Sequence, residues 1–177
     1  SLSQTTMPNW IAQRTKLFDS SGIRKVFDLG AKLENPINLS IGQPDFDTPA
    51  FIREAAKTAL DEGYTRYPPA KGFADLRRAI ARKVKEENGL TADPETEVYV
   101  AVGAMQVIFN TCLHMLNPGD EVLYHEPCYV AYAPAVAMAH GVPVPVFTKE
   151  ENAFALKASD LADKITDRSK VLLLNFP

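Results

Sequence analysis

The chain has 177 residues, 46% of them hydrophobic and 23% charged, with a formal net charge of −3. That length fits one domain with a small appendage, and such a domain buries roughly 70% of its unfolded surface, enough for a core without staples. The acidic balance argues against nucleic acid or an anionic membrane as partner, and no apolar run reaches bilayer-spanning length.

Residues 1 to about 22 mix polar and apolar positions and read as an arm or short helix, broken at Ser21-Gly22. A second short helix is expected over 23–30 and a strand over Ile37-Asn38-Leu39-Ser40-Ile41, running into the turn Gly42-Gln43-Pro44-Asp45. Asp47-Thr48-Pro49 reads as a helix start, a capping side chain followed by a first-turn proline. That helix runs to about Glu62, with Phe51, Ile52, Ala55, Ala56, Ala59 and Leu60 on one side. Tyr64 to Gly72 forms a proline-stiffened loop. The next helix places Phe73, Leu76, Ile80 and Val84 inside and Arg77, Arg78 and Arg82 on a solvated face, ending at Gly89.

From Val98 the pattern becomes regular. It predicts a strand over 98–102, a helix over 104–116, a strand over 121–125, a helix over 129–139 and a strand over 142–147. Ser159 is expected to cap a helix over 160–166, and a strand over 170–175 closes the chain. Strands alternating with helices imply an α/β fold, a mostly parallel sheet flanked by helices with right-handed crossovers. Pro143 and Pro145 put their strand at an edge of the sheet.

Ligands of open α/β sheets sit beyond the carboxyl ends of the strands. Two stretches occupy that rim, Gly103-Ala104-Met105 and His125-Glu126-Pro127-Cys128-Tyr129. Gly103 turns a strand into a helix whose first N–H groups, with the positive dipole end, form an anion site. Gly103 lacks the partners of a dinucleotide fingerprint, and no serine-hydrolase elbow occurs. His114, His125 and His140 fit no common metal spacing, so no metal is expected. The two cysteines, Cys112 and Cys128, with no signal peptide at the start, suggest buried thiols in a reducing, cytoplasmic compartment. These readings leave a mononucleotide- or phosphate-binding module open beside a plain structural α/β domain.

Six stretches, in order over residues 38–177, resemble the fold-type I aminotransferases of classes I and II. They are Asn38 to Pro49, Tyr64 to Pro69 with Gly72 and Leu76 to Ile80, Val102 to Gln106, Asn117 to Val122, Pro127 to Tyr132, and Asn175-Phe176-Pro177. The resemblance implies a pyridoxal 5'-phosphate cofactor, amino acid and 2-oxo acid substrates, and a homodimer. It implies that the N–H groups of Ala104 and Met105 hold the phosphate, Tyr129 stacks on the ring, and Tyr67 reaches across the dimer to the phosphate. Ile41 and Gly42 match the segment that lies over the substrate. Met105 stands where the family often has a hydroxyl-bearing or lysine side chain, which leaves only the backbone to donate there.

The family's Schiff-base lysine, the acid that pairs the pyridine nitrogen, and the arginine for the substrate carboxylate have no counterpart here, so no catalytic residue is assigned. The chain is therefore expected to be the N-terminal portion of an aminotransferase, inactive alone. Residues 1–46 would be an arm and small-domain segment, and 47–177 the N-terminal part of the large, cofactor-binding domain. Two alternatives stand beside this, a non-catalytic α/β domain binding a phosphate compound or partner chain, and a pyridoxal-dependent β-lyase or synthase. In the family, later strands insert among these four. One gapless sheet of strands 98–102, 121–125, 142–147 and 170–175 would favour the non-catalytic domain.

Overall fold

The computed structural model describes residues 44–176 continuously and, before them, 10–18, 26, 29, 30, 32–35, 37 and 42. The expected strand residues 38–41, including the candidate site residue Ile41, lie outside the described residues. The chain divides into two compact units, one of Ser1–Gly22 with Gly103–Pro177 and one of Ile23–Val102.

The helical unit, Ile23–Val102, carries α1 (Ala50–Asp61) and α2 (Ala74–Asn88). Pro49, rather than Asp47 or Thr48, occupies the capping position of α1, with φ −50° and no side-chain cap. Proline's fixed φ suits an extended cap as well as a first turn, so the helix starts one residue later than the spacing predicts. Arg53 donates to Thr48 O at 2.7 Å. The apolar side of α1 is uncovered, with Phe51 75% and Leu60 63% exposed.

Helix α2 ends where expected, at Gly89 with φ 69°, the left-handed value that favours glycine. Its inner face differs from the expectation. Arg77 is its buried residue, whereas Phe73 and Leu76 are more than two-fifths exposed. The guanidinium tolerates burial because it donates to Gly72 O (3.3 Å), Pro94 O and Glu95 Oε2 (3.0 Å). Residues 98–102 form no strand. Val98 is buried there, and Val100 N–H donates to Lys71 O at 3.1 Å. A β-branched run joins a ladder only where a partner strand lies alongside.

In the sheet unit a short 3-10 helix, Gln13–Lys16, represents the expected arm. It is followed by α3 (Gly103–Met115), β1 (Glu121–Glu126), α4 (Tyr132–Met138), β2 (Val142–Phe147), α5 (Ala158–Ala162) and β3 (Ser169–Leu173). The described strands form one parallel sheet in the order β2-β1-β3. Thus three of the four expected strands pair, and the gapless four-stranded sheet does not form. Helix α4 begins three residues later than expected. Helix α5 starts earlier, with Lys157 rather than Ser159 at the cap and its N–H bonded to the Asp160 carboxylate at 3.1 Å.

The prolines of β2 sit as an edge strand requires. Val142 N–H donates to Asp120 O and Thr148 N–H to Glu126 O, both at 2.8 Å. Alternation along the strand therefore turns the nitrogens of Pro143 and Pro145 toward the open edge, where no ladder bond is lost. Helices α3 and α4 pack on the sheet through Cys112, Leu116, Val122, Val136 and Ala139, with Ile108, Val171 and Leu173 at the margin.

Candidate functional site

The short turn from Leu116 to Asp120 returns the chain from α3 directly into β1, so the two run antiparallel. The thirteen residues of α3 and the six of β1 each span about 20 Å. The N-terminus of α3 therefore lies toward the carboxyl end of β1. Gly103 adopts φ 76°, a conformation strained for any side-chain-bearing residue, and begins the helix. The next residues, Ala104 and Met105, bring their N–H groups into the first turn, which has no intrahelical acceptors. Neither side chain carries an N–H or O–H donor, so an anion there meets backbone alone.

Beyond the carboxyl end of β1 the chain passes through Pro127 and Cys128 to Tyr129. The Tyr129 ring is 51% exposed and leans on Tyr132 edge-on, with centroids 5.7 Å apart at 71°. Tyr132 is buried, and its hydroxyl accepts from Asn175 Nδ2 at 2.7 Å. The Asn175 carbonyl lies 2.6 Å from His125 Nε2, and the Asn175 N–H lies 3.3 Å from the same nitrogen. A protonated Nε2 cannot accept, so the shorter contact, with Nε2–H donating to the Asn175 carbonyl, is the hydrogen bond. The His125 ring stacks on Phe176 at 4.7 Å.

His125 in β1 and Tyr132 after it thus tie to Asn175 in the segment after β3. The Asn175 contacts span 43 and 50 residues and leave no local trace.

Burial, then the nearby Glu126 charge, pushes the Tyr124 hydroxyl up to about 12, so it stays protonated at neutral pH. The same two causes raise the Cys128 thiol, and burial alone raises Cys112. Cys112 is buried as expected, but Cys128 is partly exposed, because it sits in the loop rather than on a packed helix face. Among the described residues no group of His, Cys, Asp or Glu could hold a metal ion. None of the described helices is long and apolar enough to cross a membrane.

Ala104, Met105 and Tyr129 share the sheet unit. Tyr67 and Gly42 belong to the helical unit, and both are exposed there.

The family model for aminotransferase class I and II matches residues 34–177. The chain is 46% identical over 167 residues to the aspartate aminotransferase of Pyrococcus abyssi, covering 94% of this chain and 43% of that protein. It is 44% identical, with the same coverage, to aromatic-amino-acid aminotransferase 2 of Thermococcus litoralis. Among solved structures, aspartate aminotransferase from Thermus thermophilus with maleate superposes with a TM-score of 0.87 at 36% identity. That superposition covers 94% of this chain and 44% of the other. The chain therefore spans less than half the length of these relatives. A family match running over residues 34–177, through both units, makes this chain a member of the class I and II aminotransferases.

Proposed function

We propose that this chain is the N-terminal portion of a cytoplasmic, homodimeric, pyridoxal phosphate-dependent aminotransferase, which moves an amino group between an L-amino acid and a 2-oxo acid. The single observation that carries the reading is the helix start at Gly103, with its left-handed φ, on the end of α3 turned toward the carboxyl end of β1, with the Tyr129 ring exposed in the segment that follows β1. The donor chemistry fits the cofactor: free N–H groups at a thirteen-residue helix suit a phosphate, and a flat aromatic face suits a pyridine ring. When bound, pyridoxal phosphate supplies the electron sink and carries the amino group.

In this reading the N–H groups of Ala104 and Met105 bind the phosphate, and Tyr129 covers one ring face and excludes water from it. Tyr67 gives a hydroxyl to the phosphate in the other subunit. Gly42, having no side chain, lets backbone approach the substrate, with Ile41 beside it. Domain boundaries near residue 46 belong to the same reading. The names of the relatives, aspartate and aromatic-amino-acid aminotransferases, make L-aspartate and an aromatic amino acid the first donors to try.

The test is cofactor loading of the full-length protein, borohydride reduction and intact mass, followed by an amino-transfer assay with those donors. One covalent adduct per chain and transfer to a 2-oxo acid are expected. A full-length protein that retains no cofactor overturns the proposal. The 19.5 kDa chain alone should carry no stoichiometric adduct. One adduct on it would place the cofactor lysine within these residues, against this assignment.

A further inference from the structure

The loop between α1 and α2 is held at both ends. At its start, Tyr64 N–H donates to Ala59 O at 2.9 Å, and the Tyr64 ring meets Phe73 edge-on at 5.9 Å. At its end, Gly72 N–H closes a turn on Pro69 O at 2.8 Å, and Lys71 O accepts from Val100 N–H at 3.1 Å. Lys71 Nζ donates to Glu95 O at 2.9 Å. Gly72 adopts φ 90° and lies so near Val100 that an added Cβ would come within 2.6 Å of Val100 Cγ2. Between these anchors, Pro68 and Pro69 restrict the backbone. The Tyr67 ring stands fully exposed, at 104% of its reference area.

Under the second anchor lies Arg77, a charge 93% withdrawn from solvent. Its Nε reaches Gly72 O at 3.3 Å, its Nη1 reaches Pro94 O, and its Nη2 reaches the half-exposed Glu95 carboxylate at 3.0 Å. One planar fork therefore joins the end of the Tyr67 loop to residues 94 and 95. A lysine ammonium, a point charge on a flexible stem, cannot span three acceptors in that geometry. A buried charge is a costly way to fasten a surface loop unless the loop's conformation matters.

We propose that Arg77 is a positioning residue, which through Gly72 and residues 94–95 fixes the loop so that Tyr67 is presented in a single orientation to a phosphate group on a second copy of this chain. This rests on the reading of Tyr67 given above. Holding the loop beforehand removes ordering entropy that binding would otherwise meet.

The experiment is a double-mutant cycle on the full-length holoenzyme with Tyr67→Phe, Arg77→Lys and the pair, reading the rate of cofactor release by its fluorescence. Tyr67→Phe should speed release about fivefold, one hydrogen bond to a phosphate. Arg77→Lys should speed it several-fold, and the pair should be no faster than the faster single variant. A product of the two single effects, or no change with Arg77→Lys, overturns the inference while the Tyr67 assignment stands. No change with Tyr67→Phe overturns that assignment and the inference together. If Arg77→Lys yields no folded dimer, Glu95→Gln, which alters a half-exposed side chain, completes the same cycle under the same criteria.

Discussion

Asn175 Nδ2 donates to the Tyr132 hydroxyl at 2.7 Å, joining the second residue after β3 to the first turn of α4. Tyr132→Phe keeps the ring that Tyr129 leans on and deletes this bond. The loss should be about 1 kcal/mol, because Asn175 is exposed and regains water. Calorimetry of the full-length protein should show a melting point lower by roughly 2 °C. An unchanged melting point would mean the bond contributes nothing net.

Tyr129 tests the proposed cofactor face directly. Tyr129→Ala removes the stacking surface and should weaken pyridoxal phosphate binding about tenfold, while Tyr129→Phe should bind within about twofold of the parent. Equilibrium titration of the full-length apoprotein decides it. Equal losses in the two variants would point to the hydroxyl instead of the ring.

Glu121 gives a pH dependence. Its carboxylate is held below its ordinary 4.5 chiefly by the Thr166 hydroxyl, then by Ser169 and the Arg168 guanidinium. At neutral pH it is ionised both folded and unfolded, so its contribution is fully present. As the pH falls below about 4.5 the unfolded chain takes up the proton first, and the contribution is lost as the pH falls on through the folded value. Glu121→Gln should therefore lower stability at pH 7 and flatten the loss below pH 4.5, read from urea midpoints across that range. Parallel profiles for parent and variant would exclude this carboxylate as a source of acid lability.

Gly141 tests the core. A Cβ there would lie 2.7 Å from Leu116 Cδ1 and 3.0 Å from Val136 Cγ1, two members of the packed cluster. Gly141→Ala should cost about 1–3 kcal/mol by overpacking. Gly30→Ala, where nothing lies within 4 Å, is the control and should stay close to the parent. Similar melting points for both variants would show that the cluster yields freely.

The two thiols should separate by alkylation. Cys128 is partly exposed with a raised pKa, so iodoacetamide should label it slowly at pH 7 and faster as the pH rises past its ordinary 9.0. Cys112, on the buried face of α3, should react only on unfolding. Mass spectrometry of tryptic peptides resolves the two sites.

Much of the architecture was legible because its signals are local. Gly89 ends α2 and Gly103 opens α3 at left-handed φ values that favour glycine. Pro143 and Pro145 mark β2 as an edge strand because proline has no N–H for a ladder. The start of α1 was less legible, since Asp47, Thr48 and Pro49 all suit a helix entry and their sequence does not rank them.

By itself the sequence determined where most helices and strands lie and, through six family-like stretches, which family the chain belongs to. Backbone preferences act within a turn or two, so they can be read from neighbours along the chain. Only the tertiary structure decided that Arg77 faces inward, that 98–102 joins no ladder, and that Asn175 fastens Tyr132. Each depends on a partner brought close by folding. A guanidinium can be buried only where acceptors from residues 94 and 95 meet it, and a β-branched run becomes a strand only when another strand runs beside it.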